Sequence, residues 1–405
     1  MAISKKQHKE IKILDGNQAA ALGAKLSRVQ VIAAYPITPQ TPVTENLSEF
    51  VEKGELKAEY VAVESEHSAL AVCASASMVG ARTFTATSSH GLAYMHEMLH
   101  WTAGARLPVV LACVNRAIGA PWNILNDQQD SISQRDTGWI QIYARNNQEI
   151  IDSMIQAYCI AEQVYIPVMV CYDGYLLSHA QMPVIVPPQD EVDKFLPLYQ
   201  PHTILDPENP KNYNLVTLAN PRVNADGVLC HGYMEIRQLL QEDLRRSFEV
   251  ISKTGEEFQK IFKRNYNNCF WNDGLSTSDT VIVAMGSLAM EALVAREILH
   301  EQGLDAGVLG IRVFRPFPKV ALGKALKDKK RIIVFDKDIS YGNEGACCTE
   351  IKAALYGSGS KAVIKNFIVG LGGRDVSASE LAAAVKRTLN EKSIAHTDPE
   401  WLSQL

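Results

Sequence analysis

The chain has 405 residues, 47% of them hydrophobic and 21% charged, and its formal net charge is −5. These values are typical of a globular protein with a buried core, and they argue against a disordered chain or a basic nucleic-acid binder. No apolar run reaches the roughly 20 residues of a membrane span, and Met1 to Lys6 lacks the apolar segment of a signal peptide. We therefore expect a cytoplasmic protein with no membrane or nucleic-acid partner.

In the first 185 residues, β-branched runs alternate with helix-compatible stretches. This alternation predicts a parallel sheet covered by helices on both faces, with ligands binding beyond the carboxyl ends of the strands. Polar segments that contain Gly or Pro follow four of the runs, so we expect these segments to converge on one edge of the sheet. The predicted strands are 29–34, 60–63, 83–87, 108–114 and 167–172, and the polar segments are 35–39, 88–91, 115–121 and 173–175.

The pattern changes after Met182. Eight prolines interrupt the chain between 183 and 221, ahead of a charged stretch at 233–264 that is predicted to be helical. Strand-like runs resume and predict a second, smaller α/β domain; they are 281–284, 306–313, 331–335 and 363–371. We predict three parts: a first domain at 1–185, a connecting region at 186–276 and a second domain at 277–405.

Glu66 is the carboxylate of most interest. The run 64–80 lacks proline and is dominated by Ala, Ser and Val, which favours a helix. Helical spacing puts Ala69, Leu70 and Cys73 on the face of Glu66, so this carboxylate is predicted to point inward. Burying an ion without a partner costs several kcal/mol, so an inward carboxylate suggests function. Spacing alone also allows a partly exposed acid near a helix N-terminus, favoured by the helix dipole.

Metal ligands are not evident in the sequence. No two of the eight cysteines have the Cys-x-x-Cys spacing common in metal and iron–sulfur sites, and we assign no role to the adjacent Cys347 and Cys348. Asp127 and Asp130 have no Cys or His nearby at ligand spacing. We therefore expect loop hydrogen bonds from these two carboxylates and no metal site in this chain.

Seven segments together carry a family resemblance. The sequence resembles the alpha subunits of the 2-oxoacid:ferredoxin oxidoreductase family, in particular those of pyruvate:ferredoxin oxidoreductases (pyruvate synthases). The similarity runs through nearly the whole chain and is weakest between about 190 and 275. The segments, in the family's order, are Tyr35-Pro36-Ile37-Thr38-Pro39, Glu64-Ser65-Glu66, Asn115-Arg116-Ala117, Asn126-Asp127-Gln128-Gln129-Asp130, Arg135-Asp136-Thr137-Gly138-Trp139, Asp173-Gly174-Tyr175 and Arg315-Pro316-Phe317-Pro318.

The resemblance implies a division of labour among chains. It implies a pyrimidine-side thiamine diphosphate-binding domain here, followed by a domain like the C-terminal one of transketolase. A beta chain would hold the diphosphate through Mg²⁺, and gamma- and delta-type chains would complete the hetero-oligomer and carry [4Fe-4S] clusters. The sequence is consistent with this division, since it has no Gly-Asp-Gly motif for the magnesium-diphosphate loop, no P-loop and no cluster cysteines. We expect the isolated chain to be catalytically silent.

The resemblance also assigns roles to residues. It implies that Glu66 is catalytic and hydrogen-bonds the pyrimidine ring of the cofactor, with Pro36, Ile37 and His90 as further cofactor-binding residues. Thr38 and Arg116 match positions that hold the 2-oxoacid. Structural alternatives stay open: a loop hydroxyl for Thr38, a salt bridge to the 126–130 loop for Arg116, and a structural loop histidine for His90. Asp173 is either a helix cap or a site residue.

Glycine turns follow three strands of the second domain, at 286–287, 341–345 and 370–374. Such turns bind anions through backbone N–H groups, and coenzyme A is one possible ligand. They also allow a compact sheet to turn tightly, which is the interpretation we favour.

The predicted activity is the reversible oxidative decarboxylation of pyruvate with coenzyme A to acetyl-CoA and CO₂, an anaerobic reaction that passes electrons to ferredoxin. Thr38 and Arg116 suit a small monoanionic acid. An oxalate enzyme is expected to have extra positive charge near this loop, and residues 35–41 contain none. A branched 2-oxoacid such as 2-oxoisovalerate, or 2-oxoglutarate, stays open. Two other hypotheses are the beta chain of a lipoamide-dependent dehydrogenase and a noncatalytic assembly subunit.

Overall fold

The computed structural model describes residues 10–201, 232–389 and 398–402. Two α/β domains are each built on a central, mostly parallel sheet, as the sequence predicted. A continuous cluster of buried apolar side chains extends from the first domain into the second. Among the described helices, none has the length and apolar character needed to span a bilayer.

The first domain carries eight strands and nine helices within the described residues. The strands are β1 (Glu10–Leu14), β2 (Val31–Ala34), β3 (Glu59–Ala62), β4 (Thr83–Thr87), β5 (Val110–Asn115), β6 (Ile140–Tyr143), β7 (Val168–Asp173) and β8 (Met182–Val186). The helices are α1 (Gly16–Leu26), α2 (Thr41–Glu52), α3 (Glu66–Met78), α4 (Ser89–Tyr94), α5 (His96–Gly104), α6 (Gln129–Ile132), α7 (Asn147–Val164), α8 (Gln189–Phe195) and α9 (Tyr233–Phe262).

The second domain begins after α9. Its strands are β9 (Phe270–Asp273), β10 (Thr280–Met285), β11 (Gly307–Ile311), β12 (Val313–Arg315), β13 (Arg331–Asp336), β14 (Val363–Ile368) and β15 (Glu400–Trp401). Its helices are α10 (Leu288–Glu301), α11 (Lys319–Leu326), α12 (Ala346–Leu355) and α13 (Ala378–Leu389). Six of these strands form one sheet in the order β15-β14-β13-β10-β11-β9, in which only β9 runs antiparallel to its neighbour.

The first domain's sheet has seven strands in the order β12-β6-β7-β5-β4-β2-β3. All of its pairings are parallel except that of β12 with β6. Strands β4, β5 and β7 are buried along their whole length, which explains why their sequences do not alternate between polar and apolar residues. The carboxyl ends of β2, β4, β5 and β7 therefore meet at one edge, as predicted.

One strand prediction was wrong in a way that matters for the domains. The run 306–313 was predicted to be a single strand, but β11 ends at Ile311 and belongs to the second sheet, whereas β12 starts at Val313 and completes the first. Between them, Arg312 and Val313 both donate backbone N–H groups to the carbonyl of Cys269. Sequence reasoning could not find this switch because both strands are apolar and adjacent.

The helix predicted at 233–264 is confirmed as α9, which packs against α7 of the first domain. This part of the predicted connecting region therefore packs against the first domain. Sequence analysis missed β6, β9 and the two-stranded ribbon of β1 and β8. The predicted connection between 202 and 231, and the N-terminal residues Met1 to Lys6, lie outside the described residues.

Candidate functional site

The buried carboxylate of Asp130 organises the edge where the strands end. It accepts hydrogen bonds from the backbone N–H groups of Ser89 (2.9 Å) and Arg116 (3.0 Å), and from the side chain of Asn115 (2.7 Å). Burial raises the pKa of Asp130 to about 7, and these hydrogen bonds oppose the shift. The loop hydrogen-bonding role predicted for Asp130 is confirmed, and it joins the segments that follow β4 and β5.

Glu66 lies at the first turn of α3, where the Ser65 hydroxyl caps the helix by accepting from the backbone N–H of Ser68 (3.2 Å). Only 8% of Glu66 is exposed, and it shares its buried face with the predicted neighbours, including Ala69 and Leu70. The inward orientation is therefore confirmed, and the alternative of a partly exposed acid is wrong. The carboxylate makes no hydrogen bond to any residue that the structure describes.

Gly91, in α4, makes room for the Glu66 side chain. A Cβ atom on Gly91 would lie 2.6 Å from Glu66 Oε1 and 2.4 Å from Thr87 Oγ1, so any side chain here would collide with both. The Thr87 hydroxyl is itself buried and has no hydrogen-bond partner within the described ranges. A buried hydroxyl without a partner is costly unless a ligand supplies the missing hydrogen bond, and the Glu66 carboxylate next to it makes no hydrogen bond to a described residue either.

Arg116 is 2% exposed, and its guanidinium is held by two backbone carbonyls. Nη1 donates to the Thr38 carbonyl (2.7 Å) and Nε to the Asn123 carbonyl (3.2 Å). Nη2 is buried and has no partner among the described residues. Burial lowers the pKa of Arg116, an effect opposed by the charges of Asp130 and Tyr175. Nη2 is thus the guanidinium nitrogen left for a ligand.

The alternative predicted for Arg116, a salt bridge to the 126–130 loop, differs from the contacts in the structure. Its backbone N–H, not its guanidinium, contacts Asp130, while the guanidinium holds the predicted cofactor loop through Thr38. In that loop Pro36 and the Thr38 side chain are exposed and Ile37 is half-buried. The loop is anchored by Asn17, which donates to the Pro39 carbonyl (2.8 Å).

His90 is half-buried and lies beside Trp122, with the two rings nearly parallel and their centroids 5.8 Å apart. The Trp122 ring also lies 4.8 Å from the centre of the Arg116 guanidinium, although 74% of Trp122 is exposed. Trp122 was missed by sequence reasoning. The available signal was a tryptophan directly after Gly119-Ala120-Pro121 in a loop already predicted to lie at the site.

The second domain reaches the same edge through its glycine turns. Asp173 caps no helix of its own segment: it accepts from the Ser287 backbone N–H (3.1 Å) and hydroxyl, and pairs with Lys337 (3.4 Å). Its role as a site residue stays a prediction. The glycines of the 286–287 and 370–374 turns have positive φ angles, which supports the tight-turn interpretation. Asp127 accepts from the Gln129 and Gly372 backbone N–H groups, so its predicted loop hydrogen bonding is also confirmed.

Two parts of the chain match known protein families. Residues 22–253 match the family described as pyruvate flavodoxin/ferredoxin oxidoreductase, thiamine diP-bdg, and residues 278–381 match pyruvate:ferredoxin oxidoreductase core domain II. The chain belongs to the pyruvate flavodoxin/ferredoxin oxidoreductase family.

Two relatives share most of their length with this chain. It is 48% identical to pyruvate synthase subunit PorA of Methanocaldococcus jannaschii over 381 residues, which cover 93% of this chain and 94% of the relative. It is 46% identical to ketoisovalerate oxidoreductase subunit VorA of Pyrococcus horikoshii over 393 residues, which cover 96% of this chain and 97% of the relative.

A solved structure shares the fold. A 2-oxoglutarate:ferredoxin oxidoreductase from Magnetococcus marinus superposes with a TM-score of 0.72 at 19% identity, over 94% of this chain and 66% of that longer chain. The predicted family and the predicted α/β class are therefore confirmed. The roles of individual site residues stay predictions.

Proposed function

We propose that this chain is the alpha-type subunit of a hetero-oligomeric 2-oxoacid:ferredoxin oxidoreductase that acts on pyruvate. In this reaction pyruvate, coenzyme A and two oxidised ferredoxins give acetyl-CoA, CO₂, a proton and two reduced ferredoxins, and the reaction is reversible. Glu66 carries the proposal, because this buried residue lies at the ligand-binding edge of a parallel sheet and its carboxylate has no hydrogen-bond partner in the part of the chain that the structure describes. The names of the relatives, a pyruvate synthase subunit and a ketoisovalerate oxidoreductase subunit, support an oxidoreductase of 2-oxoacids.

The residues around Glu66 fit the pyrimidine end of thiamine diphosphate. The carboxylate accepts no hydrogen bond from any residue in the described ranges, and Gly91 leaves room for the Glu66 side chain to lie against α4. When bound, the cofactor supplies the nucleophilic carbon that attacks the 2-oxo group. Glu66 would hold the proton shared with a ring nitrogen, and Pro36, Ile37 and His90 would contact the ring from the loops beside it. The Mg²⁺ and the [4Fe-4S] clusters would be held by beta-, gamma- and delta-type partner chains in the cytoplasm.

Arg116 Nη2 would bind the carboxylate of the 2-oxoacid, assisted by the exposed Thr38 hydroxyl. A charged hydrogen bond to a buried guanidinium satisfies the nitrogen that has no partner in the described residues. The Trp122 indole, which lies 4.8 Å from the centre of the guanidinium, is a further residue beside this proposed binding position. One free nitrogen suits one carboxylate, and this favours pyruvate over the dicarboxylates 2-oxoglutarate and oxalate.

2-Oxoisovalerate is the second candidate substrate. It carries the same single carboxylate as pyruvate, and the relative named for ketoisovalerate is nearly as similar to this chain as the relative named for pyruvate synthase. The contacts of Arg116 do not separate the two acids, since both would present the same group to it.

Coenzyme A-dependent reduction of a low-potential dye tests the proposal. The chain is purified anaerobically with its partner chains, and pyruvate is compared with 2-oxoisovalerate, 2-oxoglutarate and oxalate. We expect the highest kcat/KM with pyruvate. A higher value for another acid would change the substrate while keeping the mechanism. No reduction with any acid, with clusters and thiamine diphosphate occupied, would contradict the proposal and favour a lipoamide-dependent or noncatalytic chain.

A further inference from the structure

The loop that follows Arg116 is docked against the second domain. Asn123 Nδ2 donates to the Gly372 carbonyl (2.8 Å), and the Gly372 N–H donates to Asp127 Oδ2 (3.1 Å). Gly373 adds a third bond, from its N–H to the Asn126 carbonyl (2.6 Å). These contacts tie a loop of the first sheet to a turn almost 250 residues further along the chain.

Asn123 connects this docking contact to Arg116. The Asn123 carbonyl accepts from Arg116 Nε at 3.2 Å, while its side chain contacts Gly372. Its Oδ1 also accepts from the Leu125 backbone N–H (2.7 Å), so both ends of the amide are engaged. Of the two carbonyls that orient the guanidinium, Thr38 is on the predicted cofactor loop and Asn123 is on a loop held by the other domain.

The close approach depends on glycine in the second domain. Gly372 has φ +61°, and a Cβ atom there would lie 2.5 Å from Asn123 Nδ2. Gly373 has φ +73°, and its Cβ would lie 2.2 Å from Leu125 Cβ. Both positions therefore need glycine for backbone conformation and for space.

We propose that Asn123 is a positioning residue through which the Gly372 turn of the second domain orients Arg116 toward the carboxylate of the substrate. The inference deepens the proposed function and rests on the role of Arg116 in it. Loss of the Asn123 side chain removes the interdomain contact made by the residue that binds Nε, so the Asn123 carbonyl is no longer held in place and Nη2 loses its direction, although the bonds of Asn126 and Asp127 to the turn remain. Through Asn123 and Arg116, the second domain would affect the affinity for the substrate without contacting the substrate itself.

The test uses steady-state kinetics of the whole complex carrying Asn123→Ala. The KM for pyruvate should rise about tenfold, the loss expected when a charged hydrogen bond becomes poorly aligned, while kcat changes less than threefold. The KM for coenzyme A should not change. Gly372→Ala should raise the KM for pyruvate similarly, and the double variant should be no worse than either single one, because all three break the same contact.

Asn146→Ala is the matched control. Asn146 caps α7 by accepting from the Glu149 backbone N–H (2.9 Å), so its loss destabilises the fold without touching the Arg116 loop. We expect a lower melting temperature and an unchanged KM for pyruvate. A KM that stays within twofold in Asn123→Ala, or that rises equally in Asn146→Ala, would overturn the inference while the proposed function stands. A wild-type complex inactive with every 2-oxoacid would overturn both.

Discussion

At the scale of single residues, Glu66 and Asp130 are both buried carboxylates at the same sheet edge, yet their surroundings differ. Asp130 accepts hydrogen bonds from the segments that follow β4 and β5, whereas Glu66 has no partner among the described residues. A buried group with its hydrogen bonds complete holds the structure together, and one left without them is available to a ligand. This difference makes Asp130 a scaffold residue and Glu66 the proposed catalytic one.

Glu66→Gln tests the proposed catalytic role. An amide cannot exchange the proton that the carboxylate would share with the cofactor, so turnover of the assembled complex should fall at least about a hundredfold. Glu64→Gln is the control, since Glu64 is exposed on the same segment, and it should keep the wild-type rate. Subunit stoichiometry is measured in parallel. Near-normal turnover of Glu66→Gln in an intact complex would favour a noncatalytic assembly subunit.

Asp130 predicts a pH dependence of stability. Its pKa is about 7 in the folded chain against an ordinary value of 3.8, so the folded state binds the proton more tightly than the unfolded state. The stability linked to Asp130 is therefore present in full at acid pH and is lost as the pH rises from about 4 through 7.

Urea unfolding of wild type and Asp130→Asn between pH 5 and 8 measures this effect. The variant should be less stable, because the amide nitrogen cannot accept the hydrogen bonds that the carboxylate oxygen accepts. Its deficit in free energy of unfolding should shrink as the pH rises and level off above pH 7. A deficit that is constant or grows with pH would contradict the assignment.

At the scale of secondary structure, the position of Gly91 in α4 requires glycine, because any side chain there would displace Glu66 of α3. Gly91→Ala would place a methyl group against Glu66 Oε1 and Thr87 Oγ1, so Glu66 must shift out of place. We expect at least about a tenfold loss of thiamine diphosphate affinity in the complex, measured by titration, and a matching loss of activity.

The control for Gly91→Ala is Gly104→Ala in α5. A Cβ atom at Gly104 meets only the Arg237 guanidinium, at 3.7 Å or more, which is ordinary contact. This variant should keep its affinity and be as stable as wild type or slightly more stable. Equal affinities in the two variants would mean that the space over Gly91 is not part of the cofactor site.

At the scale of the whole molecule, β12 and the buried Arg312 that precedes it connect the two domains. Arg312 Nε contacts Glu149 Oε1 at 3.0 Å, and both side chains are at most 3% exposed. Arg312→Met removes this partner of the buried Glu149 carboxylate, which keeps its contact with Arg145 at 3.2 Å, so the variant should lower the free energy of unfolding by about 3 kcal/mol, the lower end of the cost of breaking a buried pair.

Chemical denaturation of three variants checks this value. Arg312→Met combined with Glu149→Leu should recover part of the loss, because the buried carboxylate is removed together with the buried guanidinium, and the Arg145 side chain that also contacts Glu149 is 29% exposed. Lys53→Met breaks the exposed pair of Lys53 and Glu49 and should cost less than about 1 kcal/mol. A similar cost for Arg312→Met and Lys53→Met would show that the interdomain pair does not stabilise the fold.

The sequence by itself determined the features that depend on neighbours along the chain. The inward face of α3, the central strands β4, β5 and β7, and α9 follow from periodicity and composition, which act over a few residues. The family followed from motifs in a shared order, and the comparisons confirm it.

Only the tertiary structure decided the features that join distant segments. These are the transfer of β12 to the first sheet, the contact of Ser287 with Asp173 across 114 positions, and the contact of Asn123 with Gly372 across 249. Local patterns carry no record of such pairings. A hydrogen bond between remote residues forms because the packing of two domains brings a donor to an acceptor. The residues next to the donor or the acceptor in the sequence do not indicate which distant residue will be its partner.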